Sequence, residues 1–256
     1  MFSNAIVRRP SRSLVAGITS SPELGTPDYE RALLQHGAYV GALRSCGVSV
    51  VELEAMEEYP DSCFVEDVAV CTPKCAVVTN PGAPSRKGEI VGIVEALEEF
   101  YPRRKIEYIQ EPGTLEGGDV LQADDHFYVG ISARTNQEGA EQFFSIVGRY
   151  GFSGTAVPVE RILHLKTGLS YLENGNLLIS GEFAESPIFE SFHRFLVPDE
   201  EVYASNCIWM NGTVIVPSGY PRTLKAVADL CYPTRVVDTS EFRKIDGGLT
   251  CLSLRF

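Results

Sequence analysis

The segment Leu169-Ser170-Tyr171-Leu172-Glu173-Asn174-Gly175-Asn176-Leu177-Leu178-Ile179 decides the fold. Two short apolar runs flank Asn174-Gly175, a dipeptide that readily takes the positive φ angles of a type I′ turn, so the stretch predicts a β-hairpin. Working outward, the same signal recurs three times. Runs 207–210 and 214–216 flank Asn211-Gly212, runs 119–122 and 127–131 flank Asp124-Asp125, and runs 64–71 and 75–79 flank Thr72-Pro73-Lys74. Each hairpin is followed by a helical spacing and then a further strand. Residues 86–101 carry Ile90, Ile93, Val94 and Leu97 at helical intervals before a strand at 105–110. Residues 136–150 place Phe143, Phe144 and Val147 on one face before 155–159, and 222–230 precede 234–237. Segment 187–195 reads as a poorer helix.

The chain ends complete the pattern. Residues 251–256 and 4–8 read as pairing strands, 28–46 as a helix with Pro27 at its start, and 48–53 as its following strand. That makes five units of hairpin, helix and strand, the first split across the termini. A unit that cannot bury its own face, repeated and closed through the termini, predicts an α/β ring with radial pseudosymmetry. No Pro-, Gly- or Ser-rich linker interrupts it, so a single domain of residues 1–256 is expected.

Composition narrows the function. The chain is 44% hydrophobic and 22% charged, with a net charge of −12, which disfavours nucleic acid and anionic membranes as partners. Arg8, Arg9 and Arg12 break the apolar character of 1–17, so no signal peptide is read there, and no run of about 18 apolar residues spans a membrane. Seven cysteines form an odd, irregular set, which points to thiols in a reducing, cytoplasmic compartment. Cys71 and Cys75 lack a second ligand pair and are read as the ends of a hairpin turn rather than as a zinc site.

The candidate chemistry sits at equivalent places in the repeat. Asp61, Glu66 and Asp67 lead into the first hairpin, Glu116 into the second, His164 into the third and Cys251 into the last. Cys251 follows the Gly247-Gly248 corner, where the backbone turns sharply. A thiolate nucleophile needs a base, the base needs an orienting group, and a cationic substrate needs carboxylates. Arg86 and Arg134 suit a substrate carboxylate by bidentate hydrogen bonding. Acids at one end and arginines at the other fit a zwitterionic amino acid with a cationic side chain.

Five stretches carry a resemblance: Asp61-Ser-Cys-Phe-Val-Glu-Asp67, Leu115-Glu-Gly-Gly-Asp119, Ser132-Ala-Arg-Thr-Asn136, His164-Leu-Lys-Thr-Gly168 and Asp246-Gly-Gly-Leu-Thr-Cys-Leu-Ser-Leu-Arg-Phe256. Over nearly its whole length the chain resembles the dimethylarginine dimethylaminohydrolases of the guanidino-group-modifying, or pentein, superfamily. The resemblance implies a five-bladed α/β propeller with pseudo-fivefold symmetry. It implies hydrolysis of asymmetric dimethylarginine or monomethylarginine to citrulline and a methylamine, without metal or other cofactor, by a monomer or homodimer.

By the same resemblance Cys251 is the nucleophile, His164 the general acid and base, and Glu116 the acid that orients His164. Glu66 and Asp67 would hold the guanidinium, Asp61 and the Ile18 backbone the α-amino group, and Arg86 and Arg134 the α-carboxylate. Phe64 and the Ile245 backbone would line the pocket. Segment 17–26 is expected to act as a lid. Deiminases and amidinotransferases of the superfamily typically carry Asp where this chain has Lys166, and Arg-Asp where it has Glu66-Asp67. Free arginine is therefore expected to be a poor substrate. A non-catalytic relative, a ribosome anti-association factor, is disfavoured by the joint presence of Cys251, His164 and Glu116 and by the acidic charge.

Overall fold

Five small sheets follow one rule of construction. In the computed structural model, which describes residues 1–256, every sheet has three strands. Two strands pair antiparallel, and the third runs parallel to the middle one after a crossover. Ala69–Cys71 and Ala76–Val78 are joined by Ile106–Tyr108. Val120–Ala123 and His126–Ile131 are joined by Ser153–Pro158, and Leu169–Tyr171 and Asn176–Ile179 by His193–Leu196. Ile208–Met210 and Thr213–Pro217 are joined by Thr234–Val237. The fifth sheet is built from the ends of the chain: Leu254–Arg255 pairs antiparallel with Asn4–Arg8, which pairs parallel with Ser49–Leu53.

The contacts gather into two compact units, Met1–Val65 with Asn206–Phe256, and Glu66–Ser205. The first contains two sheets and a core that includes Leu14, Tyr39, Leu43, Phe242 and Leu252, each fully buried. Burial of each such side chain is worth roughly 1.5–3 kcal/mol. Its longest helix, Tyr29–Ser45, is capped by the Asp28 side chain accepting the Arg31 N–H at 2.8 Å. The Tyr39 hydroxyl reaches Ser253 Oγ at 2.6 Å, tying this helix to the C-terminal strand. The second unit contains three sheets. One core packs Phe127 edge-on against Phe143 and Phe152, and another gathers Leu165, Leu169, Leu177, Phe183 and Phe189.

Several expected boundaries move. Residues 64–68 were expected as strand, but Val65–Val68 is a 3-10 turn and the strand begins at Ala69. The helix expected over 86–101 is a 3-10 segment, Pro84–Ile90, followed by a short helix, Ile93–Glu98. The expected helix over 187–195 is replaced by the 3-10 turn Pro187–Phe189 and the strand His193–Leu196, the third strand that the repeat requires. There, pairing with the middle strand outweighs weak helix propensity. The hairpin at Asn174-Gly175 is wider than a two-residue turn: Glu173, Asn174 and Gly175 all have positive φ. At Asn211-Gly212 the two-residue turn forms, with Met210 opposite Thr213.

One feature is common to all five sheets. A helical turn runs directly ahead of each first strand: Val65–Val68, Gly117–Asp119, Leu165–Gly168, Asp199–Ser205 and Thr250–Leu252. Such a turn reverses the chain at a strand end and presents side chains there. Glu66, Asp67, Glu116, His164 and Cys251 all lie in or immediately before one of these turns.

Candidate active site

In unit Glu66–Ser205 the site is a set of buried charges centred on His164. Its Nε2 lies 2.8 Å from Glu116 Oε2, and the Glu116 side chain is wholly buried. Glu116 Oε1 accepts the Ala83 N–H at 3.1 Å and faces Arg134 Nη1 at 3.5 Å. Asp67 Oδ1 accepts the Gly118 N–H at 2.9 Å, while its Oδ2 meets Arg86 Nη1 at 2.6 Å. One oxygen each of Asp67 and Glu116 and a ring nitrogen of His164 lie within 4.8 Å of one another. Two acids and an imidazole so close can hold a divalent cation in other settings. Here Asp67 already meets the Arg86 guanidinium, and Glu116 bonds the His164 ring.

These charges set the protonation states. Burial opposes a charge on His164, but Asp119, Asp67 and Glu116 together outweigh it and lift its pKa to about 9. Burial likewise opposes ionisation of Asp67, and Arg86 with His164 overcomes it, holding the carboxyl at about 2. His164 is thus held in its charged form, with Nε2 tied to Glu116 Oε2.

The glycines of Glu116-Gly117-Gly118-Asp119 are needed for approach, not for unusual φ. A Cβ on Gly118 would sit 2.7 Å from His164 Nδ1 and 2.9 Å from Asp67 Oδ1, and one on Gly117 only 1.9 Å from the Glu66 carbonyl oxygen. The motif brings an acid, an imidazole and a second acid into contact because two side chains are missing between them.

In the other unit, Cys251 is half-buried in the turn Thr250–Leu252, and the Gly248 N–H points to its Sγ at 3.4 Å. Asn206 braces the turn: its Oδ1 accepts the Thr250 N–H at 2.9 Å and its Nδ2 donates to Thr250 Oγ1 at 3.0 Å. A Cβ on Gly248 would strike Asn206 at 2.7 Å, and one on Gly247 would strike the Phe64 ring at 2.3 Å. Phe64 is buried edge-on against Phe242, and Ile245 is buried beside the lead-in to the corner. Asp61 Oδ1 accepts the Ile18 N–H at 3.0 Å, and Gly17 fits against Asp61 and Ile245. Ser20 is held to Asp246 by both its N–H and its hydroxyl, so segment 17–26 is moored at two carboxylates.

Each expected site residue is therefore placed within one unit or the other, and the partners add detail. Arg86, expected to grip a substrate carboxylate, is itself buried, with Nε and Nη2 on Glu89 as well as Nη1 on Asp67. Arg134 is the more exposed of the two arginines. Lys166 Nζ sits 2.6 Å from Glu66 Oε1, a buried ion pair that the sequence did not reveal. Glu89, Asn206 and Asp119 were also not identified as partners, because no local pattern marks an acid or amide whose role is to hold another group.

A family model described as "N,N dimethylarginine dimethylhydrolase, eukaryotic" matches residues 26–182, more than half of the chain. The N(G),N(G)-dimethylarginine dimethylaminohydrolase of Pseudomonas aeruginosa is 54% identical over 256 residues, covering all of both chains. The chain belongs to the dimethylarginine dimethylaminohydrolase family. The family member from Streptomyces coelicolor is 37% identical, covering 98% of this chain and 96% of its own. Among solved structures, a cysteine-to-serine variant of the Pseudomonas aeruginosa family member, complexed with citrulline, matches with a TM-score of 0.98 over the full length of both chains. The five sheets of this chain are thus those of a family whose α/β fold is known, and the expected enzyme class follows from membership.

Proposed function

We propose that the protein hydrolyses asymmetric dimethylarginine and monomethylarginine to citrulline and dimethylamine or methylamine. The observation that carries the proposal is the buried Glu116–His164 pair, with its imidazole held protonated, in a chain of this family. The citrulline complex of the Pseudomonas aeruginosa relative supports the identity of the product.

In the proposed reaction the Cys251 thiolate attacks the guanidinium carbon, and the carbon–nitrogen π pair moves onto nitrogen. His164 gives its proton to the methylated nitrogen, which leaves as a neutral amine, since an amide anion cannot leave. A thiouronium remains on sulfur. Neutral His164 then takes a proton from water as its oxygen attacks the same carbon, and the adduct expels the thiolate and releases its remaining hydroxyl proton to solvent to leave citrulline. Glu116 orients the ring and stabilises its charged form.

Glu66 and Asp67 are assigned to the guanidinium, Asp61 and the Ile18 backbone to the α-amino group, and Phe64 and the Ile245 backbone to the pocket wall. The α-carboxylate is assigned to Arg134 and Arg86, the larger share falling to the more exposed Arg134. No cofactor enters any step. The activity is assigned to the whole 256-residue chain.

The test is citrulline release from asymmetric dimethylarginine, monomethylarginine and arginine, with Cys251→Ser as control. Release from the methylated substrates, absent in the control, is expected. Undiminished release by Cys251→Ser would remove the nucleophile assignment.

A further inference from the structure

Asp119 is fully buried, yet it takes no lysine or arginine as partner. Its Oδ1 accepts the N–H of Leu165 at 2.9 Å, the peptide immediately after His164. Its Oδ2 accepts the Ser132 hydroxyl at 2.6 Å. Ser132 Oγ in turn accepts the N–H groups of Arg134 at 3.0 Å and Thr135 at 3.2 Å, and Thr135 Oγ1 accepts the Glu116 N–H at 3.1 Å. One carboxylate therefore joins three stretches: the turn that starts at His164, the loop that carries Arg134, and the backbone of Glu116. Gly130 makes room for it, since a Cβ there would come within 2.6 Å of Asp119 Oδ1.

A buried carboxylate needs compensation, and hydrogen bonds from neutral donors supply only part of it. The remaining compensation available to Asp119 is the charge on His164. The charged groups gathered about His164 in this unit are Asp67, Glu116 and Asp119, with Arg86 on Asp67 and Arg134 at Glu116. Of the three acids, Glu116 bonds the ring and Asp67 is neutralised by Arg86. Asp119 is the acid of the three that bonds neither the ring nor an arginine, and the charge that favours its ionised form is the imidazolium, beside the hydrogen bonds from Ser132 and Leu165.

We infer that Asp119 is a positioning residue with two effects: it holds the imidazole of His164 in place and in its charged form, and through Ser132 it sets the loop that presents Arg134. This rests on the assignment of His164 as proton donor and of Arg134 to the substrate carboxylate. It adds that the two ends of the substrate are served by one buried brace.

The test uses the full-length chain and two substitutions that separate the effects. Asp119→Asn keeps an oxygen for the Leu165 N–H and removes the charge. Its His164 resonance, identified in NMR spectra by its loss in His164→Gly, should titrate at least about one pH unit lower than in the wild type. The alkaline limb of kcat/KM should move with it. Ser132→Ala keeps the charge and cuts the link to Arg134, so KM should rise about five- to tenfold with the His164 titration unmoved. A folded Asp119→Asn with unchanged titration and pH profile overturns the first effect, and Ser132→Ala with unchanged KM overturns the second. Should Asp119→Asn not fold, Ser132→Ala still decides the coupling, and Asp119→Glu, which retains the charge, should restore the wild-type titration where Asn cannot. If His164→Gly kept wild-type turnover, the proton-donor assignment itself would fall, a result distinct from either failure.

Discussion

Replacing Glu116 by Gln probes the carboxylate that bonds the His164 ring directly. The glutamine oxygen can still accept from His164 Nε2, so the ring keeps its 2.8 Å partner while the negative charge disappears. An opposite charge at this range shifts a pKa by about 1–3 units, and Asp119 and Asp67 remain, so a fall of about 1–2 units is expected. His164 would then titrate near 7–8 rather than about 9, equivalent to roughly 1.4–2.7 kcal/mol of lost preference for the imidazolium.

The sign for stability follows from linkage. His164 is raised in the folded protein, so its contribution is complete below the unfolded value near 6.5 and fades as pH rises through about 9. Glu116→Gln should therefore destabilise most below pH 6.5, and this part of the loss should vanish above pH 9. The assays are the NMR titration of His164, the pH profile of kcat/KM, and thermal unfolding at several pH values. A folded variant whose His164 still titrates near 9 would refute the reasoning, because the buried carboxylate would then not be holding the proton.

Three further outcomes are expected. Gly118→Ala forces a methyl to within 2.7 Å of His164 Nδ1, so it should cost about 1–3 kcal/mol of stability and, by displacing the ring, about 100-fold in kcat; unfolding midpoints and citrulline release check both. Lys166→Met leaves Glu66 buried beside a lost cation and should cost about 3–5 kcal/mol, lowering Tm by some 2–4 °C per kcal/mol, with much of it recovered in the double variant with Glu66→Gln. No recovery in the double variant would show that the ion pair is not the cause. Asp61→Asn keeps an acceptor for the Ile18 N–H but removes the charge assigned to the α-amino group, so KM should rise about tenfold with kcat retained; saturation kinetics on dimethylarginine decide it.

The sequence by itself determined the repeat. Asn174-Gly175 and Asn211-Gly212 can turn with positive φ where most residues are strained, and the apolar runs around them have no better pairing than each other. The same local chemistry placed Cys251 after two glycines and Glu116 before two more. It could not place the third strand at His193–Leu196, whose residues lack a strong strand preference and pair only because Asn176–Ile179 offers an edge. Nor could it show that Arg86 pairs with Asp67 and Glu89, that Lys166 answers Glu66, or that Asp119 braces His164. Apart from Arg86–Glu89, three residues apart in one 3-10 segment, those pairings join residues distant along the chain, and which buried charge compensates which is decided by proximity in the folded state. Local propensity encodes turns and strands. Protonation states and the partners of buried charges exist only once desolvation has made them necessary.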